Sequence, residues 1–153
     1  MGRLSIKAAV CTDIGINRKN NEDNYYLNGK YLTPLDDSLY CSAFMSPADY
    51  GVFGVFDGMG GQSRGEYASL CAAKTLDVYR EKILNDGTRS VNEYIEDANK
   101  QICNEMKKTN QRIGSTAVVL TFDGSTAQVY NLGVGLSGAV FGALAYFLIS
   151  HFL

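Results

Sequence analysis

From Tyr50 to Phe56 the chain reads Tyr-Gly-Val-Phe-Gly-Val-Phe, and Asp57 follows directly. Residues apolar at both odd and even positions suit a strand covered on both faces, so this segment demands a layer of structure above it and another below. A chain of 153 residues can supply both layers as one domain, and is too short for two domains of ordinary size.

Several further elements can be placed around that strand. Ser5 to Thr12 alternates loosely and predicts a strand. Asn24 to Leu32, broken by Asn28-Gly29, predicts a hairpin with a tight turn. Thr33 to Asp49 holds both prolines, Asp36-Asp37 and several serines, the composition of a loop or irregular insertion. Ala68, Cys71, Ala72, Leu76, Tyr79 and Ile83 recur at helical spacing, and Asn85-Asp86-Gly87 is a stop. A second helix is expected to start at a capping box, Ser90 to Glu93, and to bury Val91, Ile95, Ala98, Ile102 and Met106. Ala117 to Phe122 and Thr126 to Leu132 form a further hairpin pattern around Asp123-Gly124. Strands, two consecutive helices, then strands predict an α+β layered domain rather than a βαβ alternation.

At Val134 the composition changes. The run from Leu132 to Leu153 contains no Lys, Arg, Asp or Glu. As a helix it would extend roughly 33 Å, about one bilayer core. The chain thus divides into a domain over 1–133 and a hydrophobic segment over 134–153, with residues 136–153 expected to form a transmembrane helix. A buried core helix is the competing reading of the same run. Gly138 and Gly142 form a GxxxG pair through which two such helices could self-associate. The N-terminus carries Arg3, Lys7 and Asp13 and lacks the apolar core of a signal peptide, so a single C-terminal span would leave the preceding domain in the cytoplasm.

Net charge is -2, which gives no reason to expect nucleic acid as a partner. Cys11, Cys41, Cys71 and Cys103 are widely spaced without a CxxC pair, and His151 stands alone, a poor pattern for zinc. Without a secretory context the thiols are expected to be reduced.

The residues with chemistry to offer lie in two segments. One, TDIGINRKNNEDN, brings Arg18, Glu22 and Asp23; the other, VFDGMGG, ends the apolar strand with Asp57 and continues with Gly58. A carboxylate at the end of a buried strand is costly unless paired or bound to a cation. Carboxylates with backbone carbonyls are hard donors suited to Mg²⁺ or Mn²⁺, and an arginine nearby can orient a phosphate. Taken singly, Glu22-Asp23 reads as a solvated turn and Asp57-Gly58 as a strand-ending turn. DGMGG could also cradle a phosphate, although it lacks the Lys-Ser/Thr of a P-loop.

Together and in order, these segments resemble PP2C-type metal-dependent protein serine/threonine phosphatases of bacteria. Thr12 to Asn24 is similar to SDIGxxRxxNEDs, Val55 to Ser69 to vxDGmGGhxxGexAS, Gly114 to Leu120 to GsTavval, and Asn131-Leu132-Gly133 to the start of vxNvGDSRxY. The resemblance covers nearly all of residues 5–133, the N-terminal half of such a domain, and implies an incomplete layered β-sandwich flanked by the two helices. It implies a site for two Mn²⁺ or Mg²⁺ ions bridged by Asp57, with Gly58 and Glu22 on one ion, Asp23 ordering water, and Arg18 holding the phosphate of a phosphoserine or phosphothreonine protein. Gln62 replaces a frequent histidine. Where the family reads GDSR this chain reads Gly133-Val134-Gly135-Leu136, so one aspartate is missing, and so are the later aspartate motifs. By that comparison one ion site is retained and the second is incomplete. Three functional readings follow: a phosphatase, a non-catalytic membrane-anchored binding module, and a truncated or frame-shifted product.

Overall fold

A computed structural model describes residues 4–34, 40–60, 64–133 and 143–151. The strand anticipated at Tyr50–Phe56 is β4 (Gly51–Phe56), buried at every position. It lies inside a four-stranded antiparallel sheet with β2 (Asn24–Leu27), β7 (Ala117–Phe122) and β8 (Ala127–Leu132), in the order β2-β4-β7-β8. A second sheet has β1 (Leu4–Asp13) between β3 (Tyr40–Ala48) and β9 (Ala143–His151). Two short strands, β5 (Gly58–Met59) and β6 (Gly114–Ser115), pair beside them. Helices α1 (Gly65–Asp86) and α2 (Thr88–Thr109) form the third layer.

The pleat sorts the side chains between two cores. Val52 and Phe56 of β4, Tyr26 of β2 and Val119 of β7 pack with Ala72, Ala73 and Leu76 of α1 and with Val91, Tyr94 and Ala98 of α2. The alternate residues Phe53, Tyr25, Leu27, Leu120 and Phe122 pack with Ile6, Ala8 and Val10 of β1. Full burial of a side chain such as Phe53 or Leu76 contributes about 1.5–3 kcal/mol. Gly54 faces the helices, where a Cβ would sit 3.1 Å from Leu76 Cδ2; its absence lets α1 approach closely. Tyr26 Oη donates to Asp77 at 2.7 Å and Gln101 Nε2 to Thr75 Oγ1 at 3.2 Å, fixing α1 to the sheet and α2 to α1.

The α+β sandwich with two helices is as expected, and four details differ. The turn at Asn28-Gly29 is present, with positive φ at both residues and paired Leu27–Lys30 backbone bonds, but the returning arm is a single bridge. Residues 40–48, expected to be irregular, form β3. Among the described strands it pairs with β1 alone, and an edge tolerates Pro47, which has no N–H to donate. The Ser90 capping box is not formed, because α2 starts earlier, at Thr88. Its N-cap is Gly87, which also ends α1, accepts from the Val91 N–H, and leaves Ser90 buried within the helix.

The fourth difference is the largest: the expected transmembrane helix is wrong. Residues 143–151 are a β-strand that runs antiparallel to β1 from Ala143 opposite Thr12 to His151 opposite Leu4. No described helix is long and apolar enough to cross a membrane. A run apolar at every position has no period by which to tell helix from strand. Its Tyr146, Phe147 and Ile149 are residue types that favour strands, and pairing satisfies the backbone groups along the second edge of β1. Gly138 and Gly142, on which self-association was expected, lie outside the described residues.

Candidate active site

The two sheets and the start of α1 meet at one corner. β1 ends there at Asp13, whose Oδ1 accepts the Gly15 N–H at 2.6 Å, and Gly15 takes the positive φ of 72° that turns the chain away. Residues 14–23 then cross the open end of the sandwich. Asn21 holds this segment in place: its Nδ2 donates to Thr12 Oγ1 at 2.9 Å and its Oδ1 accepts the Asp23 N–H at 3.1 Å. Buried Asn24 continues the fastening, with Oδ1 accepting the Leu32 N–H at 3.0 Å and Nδ2 donating to the Leu32 carbonyl at 3.2 Å.

Asp57 arrives from the other side, at the end of β4. Its N–H donates to Thr116 Oγ1 at 3.2 Å and its carbonyl accepts the Thr116 N–H at 2.9 Å. Gly58 N–H donates to the Glu22 carbonyl at 3.1 Å, stitching the two segments together. No side chain fits at Gly58, where a Cβ would lie 2.2 Å from the Glu22 carbonyl oxygen and 2.4 Å from that of Gly65. At the start of α1 the Gly65 backbone lies close to the Glu22 carboxylate, where an added Cβ would sit 2.9 Å from Glu22 Cδ.

These contacts line one shallow cleft, of about 150 Å³, with Arg18, Glu22, Asp23, Asp57 and Gly58, along with Asp13, Asn20 and Asn21. All five residues singled out in the sequence therefore lie on it. Arg18 is exposed. Burial raises the Glu22 pKa, Arg18 opposes the rise, and the charges of Glu66 and Asp57 add to it. Asp23 is pushed up to about 7, first by burial and then by the charge of Asp57 and a hydrogen bond with its carboxyl group; Glu22 adds to the rise and Arg18 counters it.

This donor set suits a divalent cation in its chemistry: hard oxygens, crowded negative charge and a backbone held close by glycine. It is sparse in number. Among the described residues no three His, Cys, Asp or Glu side chains are grouped so as to hold a metal ion, and an ion here would complete its shell with water. Sequence reasoning did not single out Asn21, Asn24, Thr116 or Glu66 as site residues. Glu66, in the first turn of α1, carries a buried Oε2 with no hydrogen-bond partner.

No family model matches the sequence, and no curated protein matches it significantly. Solved structures do match. The Mycobacterium tuberculosis serine/threonine phosphatase PstP/Ppp aligns at a TM-score of 0.63 with 20% identity, covering 84% of this chain and 47% of its own. The PstP catalytic domain in complex with two manganese ions aligns at 0.61 with 20% identity, covering 86% and 49%. A bacterial serine phosphatase bearing an R161A mutation aligns at 0.57 with 18% identity, covering 94% and 70%. The chain therefore has the fold of these phosphatases as a partial domain, and it spans about half the length of the PstP structures.

Proposed function

We propose that this chain carries the acidic, phosphate-facing half of a PP2C-type serine/threonine phosphatase site, and that it binds a divalent cation and phosphoserine or phosphothreonine proteins while turning them over poorly by itself. The observation that carries the reading is the convergence of Arg18, Glu22, Asp23, Asp57 and Gly58 on one cleft, within the fold of a phosphatase that has been crystallised with manganese.

Each residue has a part in this reading. Glu22 and Asp57 bind the cation, assisted by Gly58. Asp23, with its proton held to about pH 7 beside Asp57, receives or returns a proton at its carboxyl oxygen. Arg18, exposed at the cleft, binds and orients phosphate oxygens through paired N–H donors. A divalent ion, when bound, supplies positive charge for phosphoryl oxygens and lowers the pKa of water. Slow turnover is expected because the segment after Asn131-Leu132-Gly133 lacks the GDSR aspartate, so a donor for a second ion is missing.

Titration calorimetry of the full chain with MnCl₂, paired with p-nitrophenyl phosphate hydrolysis, tests this. One Mn²⁺ per chain, lost in Asp57→Asn, and turnover near background are expected. Absence of millimolar-range Mn²⁺ binding would refute the site. Robust Mn²⁺-dependent turnover abolished by Asp57→Asn would refute the claim of incompleteness.

A further inference from the structure

Segment 20–24 also lines a second cavity, of about 230 Å³. That is many times the roughly 10–15 Å³ that admits one water. The two spaces share Asn20, Asn21 and Asp23 as a common wall. The rest of its lining includes Glu66 together with apolar Leu32 and Leu70, and none of the described lining residues is basic. Glu66 Oε2 is buried with no hydrogen-bond partner. An ionised oxygen left in that condition is costly.

We propose that this cavity receives an arginine or lysine side chain of the phosphorylated substrate, so that Glu66 reads a basic residue near the phosphorylated one. The inference rests on the phosphatase reading above. The lining matches a long cationic side chain: an aliphatic stem packs against Leu32 and Leu70, and its N–H donors reach Glu66 and the side-chain oxygens of Asn20 and Asn21. A small divalent ion is a poorer match, since it calls for a near-complete shell of oxygens that an apolar wall cannot supply. The shared wall places the cationic group next to the cleft where Arg18 would hold the phosphate, so recognition should depend on the spacing between the two groups along the substrate.

Fluorescence anisotropy of the full chain with labelled phosphothreonine peptides tests this. Each peptide has an alanine background and one arginine moved through the flanking positions. One register, or two adjacent ones, should bind about tenfold tighter than the arginine-free peptide, and Glu66→Gln or the cavity-filling Leu70→Trp should bring that ratio close to one. A gain equal in all registers, or one that survives both substitutions, overturns the proposal. Methylguanidinium titrated against isotope-labelled protein tests the cavity without phosphate. Saturable amide shifts at Asn20, Asn21 and Glu66 that vanish in Glu66→Gln are expected. Their absence, or equal shifts with potassium chloride, also overturns it. Intact methylguanidinium shifts with no phosphopeptide binding would instead refute the phosphatase reading, and with it the substrate assignment.

Discussion

Thr116 grips Asp57 at two points, its hydroxyl accepting the Asp57 N–H at 3.2 Å and its own N–H donating to the Asp57 carbonyl at 2.9 Å. The carboxylate at the end of β4 is thereby fixed by a residue from just before β7, far away in sequence. Thr116→Val keeps the shape and the second bond but removes the hydroxyl acceptor. It should cost about 1 kcal/mol in stability and weaken Mn²⁺ binding severalfold. Paired thermal melts and Mn²⁺ titrations check this, and a loss of stability with unaltered Mn²⁺ affinity would show that the grip has no bearing on the site.

Gly58 is expected to be intolerant of any side chain. An alanine methyl there would collide with the backbone oxygens of Glu22 and Gly65, and the Glu22 oxygen cannot yield without breaking the Gly58–Glu22 bond. Gly58→Ala should cost about 3 kcal/mol or more and abolish Mn²⁺ binding. Gly114→Ala is the control, because its nearest new neighbour would be the flexible Met59 Cε at 3.7 Å. Equal melting temperatures for the two variants would contradict the packing argument.

The raised pKa of Asp23 gives the site a pH dependence of definite sign. The Asp23 pKa rises on folding from 3.8 to about 7, so the metal-free fold binds a proton that the unfolded chain releases. That contribution to stability is fully present below about pH 4 and is lost as pH rises through about 7. Metal-free melting temperature should therefore fall over this window, and the fall should shrink in Asp23→Asn. Cation binding must expel the same proton, so Mn²⁺ affinity should rise with pH and level off above about 7. Calorimetry in buffers of different ionisation enthalpy will count the released proton.

Ending the chain after Gly133 removes β9, one of the two partners of β1, along Leu4–Thr12. The exposed edge should lower the unfolding midpoint and promote self-association. Denaturant titration and light scattering of the truncated and full chains will show it; identical behaviour would mean that β9 adds nothing to the sheet.

The parts of this fold that could be read from the sequence are those with a strong local period or turn. β4 was legible because it is apolar on both faces, the helices through Leu76 and Val91, and the β7–β8 hairpin through Asp123-Gly124, where Asp123 Oδ1 accepts from both Ser125 and Thr126. β3 was hidden by Ser42, Ser46 and Pro47, which read as loop until β1 is known to lie beside them. β9 was hidden because uniform apolarity has no period. In the site, the acidic residues and Arg18 stood out through their order along the chain. Asn21, Asn24 and Thr116 act by bonding to backbone, some of it distant, and no short pattern announces such a role. Glu66 carried one faint signal, an acid just inside a helix that follows a glycine-rich stretch.

Because successive side chains of β4 enter opposite cores, the strand cannot settle until the helices and the β1 sheet have both docked against it. Asp57 comes into position only at the end of that process, while Glu22 sits on the segment that crosses from the β1 sheet to β2. Cleft assembly is thus a readout of global folding: any cation captured between them would act as a latch across the layers, and the concentration needed to close it would measure how nearly complete the fold is.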